Sequence, residues 1–338
     1  MAKIIVSDSP HIKGPRTTKG IMLDVIIALA PAFIAGCVFF GVKAFLVVLL
    51  SCATCVITEF VYLLICKKKF IEILKDFDFS SLVTGLLIGL TLSGETPLYI
   101  PVLAGVFAIA VVKMLFGGTG RNIVNPAIAG RVFVFIAFSS TMTSGYPDPV
   151  FGALFSDGIT SGATIASGAT PLTSLLDGTI TLSNLDMFLG TGLAGCLGET
   201  SKVALIAGGI YLVIKRVINW KWPVIYIGVT GLIAVALNKF DFSLFLPSVL
   251  SGGLILGAIY MATDYVTSPS TDKACYIYYT AMGVLTAVLR HFTKIEVVSF
   301  AILLMNLVMP LLNFRPRAFG EPSFFDRVKQ KAAERRAK

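Results

Sequence analysis

Histidine is almost absent from this sequence: His11 and His291 are the only two in 338 residues, and they stand near opposite ends. An H-E-x-x-H zinc site and a nucleophile, histidine and acid triad are therefore excluded, and the lack of a P-loop excludes an ATP-driven pump. Charge is equally sparse. Asp, Glu, Lys and Arg make up 14% of the chain, where soluble domains carry about a quarter. Of the six cysteines, Cys52 and Cys55 form a C-x-x-C inside an apolar run, with no second pair at metal-ligand spacing. Cys37, Cys66, Cys196 and Cys275 read as small buried hydrophobes. The first twenty residues contain Lys3, Lys13, Arg16 and Lys19 but no apolar h-region, so no cleavable signal sequence is expected.

What is present is mostly apolar. A hydrophobic content of 56% and a mean hydropathy of +0.85 predict an all-α integral membrane protein. Apolar segments run over 21–41, 44–66, 80–93, 98–117, 127–143, 202–218, 222–238, 246–262, 275–290 and 296–313, about ten spans by length. With the amino terminus inside, the alternate connections bearing Lys67, Lys68, Lys69, Lys75, Arg121, Lys215, Arg216, Lys221 and Lys273 also fall inside. The connection 144–201 has no Lys or Arg and includes Asp148, Asp157, Asp177, Asp186 and Glu199, so it is expected outside. The chain then divides into a cytoplasmic segment (1–20), a first membrane half (21–143), an external loop (144–201), a second membrane half (202–313) and a basic cytoplasmic tail (314–338). Lipid topology accounts for the net charge of +9, and no nucleic-acid role is read from it.

Three stretches break the apolar pattern. Residues 161–173, S-G-A-T-I-A-S-G-A-T-P-L-T, collect small residues and hydroxyls. Pro171 holds Thr170 in an extended turn where its hydroxyl is open to esterification. The second stretch, G-G-T-G-R-N-I-V-N-P-A-I-A-G, follows the fourth span; the third, A-T-D-Y-V-T-S-P-S-T-D, follows Tyr260 and Met261. Unwound backbone at membrane depth has to line a cavity, since otherwise its amides and carbonyls go unsatisfied. Their matching positions suggest an internal repeat. Gly117, Gly118 and Gly120 permit close backbone approach, Asn122 and Asn125 offer donors and acceptors, and Pro126 suits the start of a helix. Asp264, Thr267 and Ser268 form the second polar set. An intramembrane carboxylate is a candidate ion ligand, proton carrier or hydrogen-bond partner. The plainer alternative for Asp264 is a helix cap or a pair with Lys273, and for Asp24 and Glu59 a neighbouring subunit or lysine.

Together these stretches carry a resemblance. G-G-T-G-R-N-I-V-N-P-A at 117–127, S-G-A-T-P-L at 167–172, L-G-E-T-S at 197–201, A-T-D-Y-V-T-S-P at 262–269 and F-A-I-L-L-M-N-L at 300–307 resemble the family of the D-type membrane component of the Rnf electron-transport complex. That family also includes the B-type component of the sodium-pumping NADH:quinone oxidoreductase. The shorter amino-terminal region favours the Rnf branch.

The resemblance implies a urea-channel-like fold in two pseudo-symmetric halves. It also implies FMN attached through its phosphate to Thr170, within a motif of Ser167, Gly168, Ala169 and Pro171. Thr164 is the alternative attachment residue: it stands where the family has an aspartate, and Asp157 lies seven residues before it. Pro171 and Leu172 continue the family pattern, whereas Ile165 does not, which favours Thr170. Tyr265 and the run from Lys294 to Val297 depart from the pattern. The implied activity is electron relay between reduced ferredoxin and NAD+ in a multisubunit complex of a bacterial or archaeal cell membrane, coupled to Na+ or H+ movement. The implied partners are the other Rnf subunits, membrane lipid and an exported FAD-dependent flavin transferase. A second, non-covalent flavin such as riboflavin, or the ion path, would occupy the cavity lined by the breaks. The rival readings are a quinone-linked component, a urea-type channel and a flavin-free scaffold.

Overall fold

Lipid-like surroundings are written into the first helix, α1 (Thr18–Ile65). Ile27, Ile34, Leu49, Ile57 and Ile65 stand exposed along it while Leu29, Val47 and Cys55 are buried. Apolar residues therefore cover both its inward and its outward faces, as a bilayer requires and water does not. Thr17 caps the helix by accepting from Gly20 N. Gly41, at φ 76° and ψ −162°, breaks the run between the two expected spans 21–41 and 44–66, so a single stretch holds both.

The computed structural model describes residues 17–143, 183–190, 195–293 and 295–312. Every regular element among them is helical. A short α2 (Phe70–Asp76) leads into α3 (Ser80–Leu90), which packs along α1. Gly85 and Gly89 allow that packing: a Cβ added at Gly85 would lie 2.6 Å from Cys52 Cα, and one at Gly89 would lie 2.8 Å from Val48 Cα. Next come α4 (Tyr99–Val106), α5 (Pro126–Ala137), α6 (Ser139–Thr143) and α7 (Asn184–Leu189). They are followed by α8 (Lys202–Ile214), α9 (Lys221–Leu237), α10 (Phe245–Leu250), α11 (Leu254–Leu256), α12 (Asp272–Thr293) and α13 (Val298–Leu312).

Among the described residues one helix, α1, is long and apolar enough by itself to cross a membrane. The expected span 246–262 is instead a broken pair, Phe242–Leu250 and Leu254–Met261, bent by 68° at a Ser-Gly-Gly turn. Gly252 there has φ +67°, which a side chain resists. Six further apolar helices of 10–17 residues accompany these. Cys66 corrects another expectation: it is exposed just past the end of α1, where the helix gives way to the lysine connection.

One order of elements occurs twice. After α3 and a break at 91–98, α4 continues as a π-helix over Phe107–Met114, and a second break at 115–125 precedes α5. After α10 and the break at 251–253, α11 continues as a π-helix over Gly257–Met261, and a break at 262–271 precedes α12. The bonds Leu115 N to Ala110 O (3.2 Å) and Ala262 N to Gly257 O (2.8 Å) each skip five residues, the mark of a π turn.

Candidate functional site

The two breaks meet. Thr119, Gly120, Asn122, Asn125 and Pro126 from the first, and Thr263, Asp264, Tyr265 and Val266 from the second, line one cavity with about 810 Å³ of empty space. Its remaining wall is largely apolar, from Met22, Val25, Leu87, Leu212 and Ile259 among others. Apolar walls with a few placed amides and one carboxylate are the usual lining of a small-molecule site.

Each polar side chain here has a local cause. Asn125 caps α5 by accepting from Ala127 N at 3.0 Å, and Pro126 takes the first helical position, which needs no donor. The Asn125 amide also donates to Met261 O at 3.3 Å and so ties the first break to the end of the second π turn. Asn122 donates to Val124 O at 3.0 Å, which shapes its own turn. Asp264 accepts from Thr267 Oγ1 at 3.2 Å and from Val266 N at 3.5 Å. It therefore orders the second break locally and makes no ion pair with Lys273. Thr267 is buried and serves Asp264. Thr267 and Ser268 stand behind the cavity wall, and Gly118 lines a neighbouring cavity. Gly118 and Gly120 have open space where a Cβ would lie, but their φ values of +92° and +87° require glycine. Thr170, Ser167, Gly168, Ala169, Pro171 and Thr164 lie outside the described residues.

The sequence reading missed Lys113, which projects into this cavity from the first π-helix. It is buried and ion-paired with Glu59 at 2.7 Å, and it donates to Ser80 Oγ at 2.7 Å. The neighbour that Glu59 was expected to face is thus a lysine. Asp24 faces a phenol instead, accepting from Tyr211 at 2.8 Å. Ser80 passes the chain on to Asp78, donating at 2.5 Å. Burial opposes charge on Asp78, but hydrogen bonds from Ser80 and Thr119 and the nearby Lys113 outweigh it and hold the carboxyl below its ordinary range.

A second charged set, also missed, surrounds the Ser-Gly-Gly turn. Arg290 donates to Ser248 O at 3.0 Å and Ser251 O at 3.3 Å, and grips both Glu296 oxygens at 3.1 and 2.9 Å. Lys202, fully buried, donates to the Glu199 carbonyl and, at 3.4 Å, to Gly252 O. Arg131, Glu199 and Glu296 line a cavity of about 300 Å³ beside this turn. Lys113, Arg131 and Lys202 each fall inside or at the rim of an apolar run, and a charge there was the available signal. Among the described residues, no three His, Cys, Asp or Glu side chains converge as a metal cage.

The model of the NQR2, RnfD, RnfE family matches residues 5–320. The chain is similar to the D component of the Na(+)-translocating ferredoxin:NAD(+) oxidoreductase complex of Acetobacterium woodii, 38% identical over 314 residues, covering 92% of each chain. It is similar to the D component of the ion-translocating oxidoreductase complex of Stutzerimonas stutzeri, 36% identical over 329 residues, covering 89% of this chain and 91% of the relative. It is also similar to the D component of the proton-translocating ferredoxin:NAD(+) oxidoreductase complex of Clostridium ljungdahlii, 34% identical over 326 residues, covering 93% and 96%. Matched over nearly its whole length, the chain belongs to the NQR2, RnfD, RnfE family.

Proposed function

We propose that this chain is the RnfD-type membrane component of an ion-translocating ferredoxin:NAD+ oxidoreductase complex. It would relay electrons through FMN esterified to Thr170 and couple them to movement of Na+ or H+. The observation that carries the reading is the meeting of the two breaks at one cavity, in a chain whose relatives bear that activity in their names along nine-tenths of their length. A passive urea-type channel does not call for paired amides and a carboxylate at the cavity, nor for the S-G-A-T-P-L motif.

In this reading the membrane part has about ten spans in two pseudo-symmetric halves. The twofold recurrence of helix, break, π turn and break supports the repeat. Both termini face the cytoplasm and the loop 144–201 faces outward, within reach of an exported FAD-dependent flavin transferase. The support for this is the Lys and Arg bias of the connections. The central cavity is suited to a second, non-covalent flavin such as riboflavin: Asn122, Asn125 and Asp264 offer hydrogen bonds to the polar edge of a ring, and Leu87, Ile259 and Val25 offer apolar faces. The flavins would supply the redox chemistry, while the chain holds them and shields them from water. Moving one charge across the membrane takes about 2.3 kcal/mol per 100 mV, within reach of a modest redox drop.

The decisive experiment is a denaturing gel of the purified complex viewed under ultraviolet light, followed by peptide mass spectrometry. The expected result is a fluorescent band for this chain with FMN on Thr170, lost in Thr170→Ala and kept in Thr164→Ala. FMN on Thr164 would move the site and leave the function. A matured complex without covalent flavin would return the chain to the channel or scaffold class.

A further inference from the structure

Five charged side chains gather around the Ser-Gly-Gly turn, and their charges do not balance. Arg131, Glu199, Lys202 and Arg290 are 4%, 6%, 0% and 4% exposed, so water does little to screen them. Arg290 is matched by Glu296, whose two oxygens it grips. Lys202 donates to the carbonyls of Glu199 and Gly252, which leave its ammonium charge uncancelled. Within this set the Glu199 carboxylate is then shared by Lys202 and Arg131. Three positive charges face two negative ones, and the single positive charge left over is costly at this depth. A proton on either glutamate would only widen the excess.

The cavity beside this set has the chemistry of the opposite sign. It holds about 300 Å³ of empty space, less than half that of the central cavity, which suits a small ion. Arg131 and the Ser299 hydroxyl line it. Val298 and Ser299 bring in the first turn of α13, the positive end of a helix of 15 residues. The carboxylates on its wall are already engaged. Glu296 Oε1 accepts from Val298 N at 3.2 Å as well as from Arg290, and Glu199 Oε1 accepts from Cys196 N at 2.7 Å. Arg290 Nε, by contrast, is a buried donor with no hydrogen-bond partner among the described residues.

We propose that this cavity binds one small monovalent anion such as chloride, held by Arg131 and the Ser299 end of α13. The anion cancels the surplus charge, whereas a cation would double it. It acts as a resident counter-charge that ties α5 to α13 beside the turn, where the break at 91–98 reaches the same cavity through Thr91. The site depends on neither the covalent flavin nor the central cavity.

The test is equilibrium dialysis of the purified complex with radiolabelled chloride, at fixed ionic strength with gluconate as the replacing anion. Saturable binding is expected in the native complex. Arg131→Gln should raise the half-saturating concentration about tenfold or more, and Ser299→Ala about threefold. Glu199→Gln keeps an acceptor for Cys196 N but removes a negative charge, so it should lower half-saturation about tenfold. A structural defect would weaken binding, so tightening in this variant separates charge balance from packing. No saturable chloride binding in the native complex would overturn the proposal. Native half-saturation in Arg131→Gln, or unchanged or weaker binding in Glu199→Gln, would do the same. If Arg131→Gln does not assemble, unchanged half-saturation in both Glu199→Gln and Ser299→Ala overturns it.

Discussion

Removing Arg290 should loosen the broken span more than any loss of area suggests. Its guanidinium joins three things that the chain brings together at the Ser-Gly-Gly turn: the Ser248 carbonyl at the end of α10, the Ser251 carbonyl in the turn and the Glu296 carboxylate ahead of α13. Its side chain is 5% exposed and that of Glu296 is 17% exposed. Breaking a buried pair by removing one partner costs about 3–5 kcal/mol, because the other charge is left behind. The partial exposure of Glu296 places Arg290→Met near the lower end, about 3 kcal/mol, or roughly a 150-fold shift in the unfolding equilibrium. The assay is reversible unfolding in mixed detergent micelles, run as a double-mutant cycle with Glu296→Leu. The double variant should be less destabilised than the sum of the singles by about 2 kcal/mol, since no charge is then stranded. A cost below about 1 kcal/mol for Arg290→Met, or strict additivity, would refute the clamp.

Gly208→Ala should destabilise by about 2 kcal/mol or more, because its Cβ would sit 1.9 Å from Ala28 O and 2.3 Å from the Tyr260 hydroxyl that bonds Leu205 O and Ala28 O. Gly228→Ala meets nothing within 4 Å and serves as its control, with a gain of up to about 1 kcal/mol from helix propensity; the same unfolding assay compares them. Asn125→Ala removes both the α5 cap and the bond to Met261 O, and should cost about 2 kcal/mol and lower any non-covalent flavin retained through purification. Asp264→Asn keeps an acceptor for Thr267 and should fold within about 1 kcal/mol of the native chain while losing coupled ion transport. Normal electron transfer and normal transport in that variant would remove the carboxylate from the mechanism.

Much of the architecture was legible because it follows from simple rules. Apolar run length located the helices, and the proline behind Asn125 marked the start of α5. The glycines at 117, 118 and 120 marked a break because each needs a positive φ. What escaped was long-range: nothing in the spacing of Glu59 and Lys113, or of Arg290 with Ser248, states that they meet. The bend at Ser251 to Gly253 escaped for a different reason. Its flanks read as one apolar run, and only the packing of Glu296 against Gly252 shows that the chain turns there. Asp264 was legible as a costly carboxylate, but its partner Thr267, three residues on, was grouped with it by type and proved to act behind the cavity wall.

The π turns before the two breaks have a consequence for how this chain tolerates change in length. A π turn fits an additional residue into an otherwise α-helical segment, so each half carries a surplus position that could be deleted without shortening a span. Deleting one residue within Phe107–Val112 would let the segment relax to an α-helix while the turns on either side kept their register. Spans of this kind take up a one-residue change in length at the π turn rather than at their ends, and an alignment that allows no gap there would misassign Lys113.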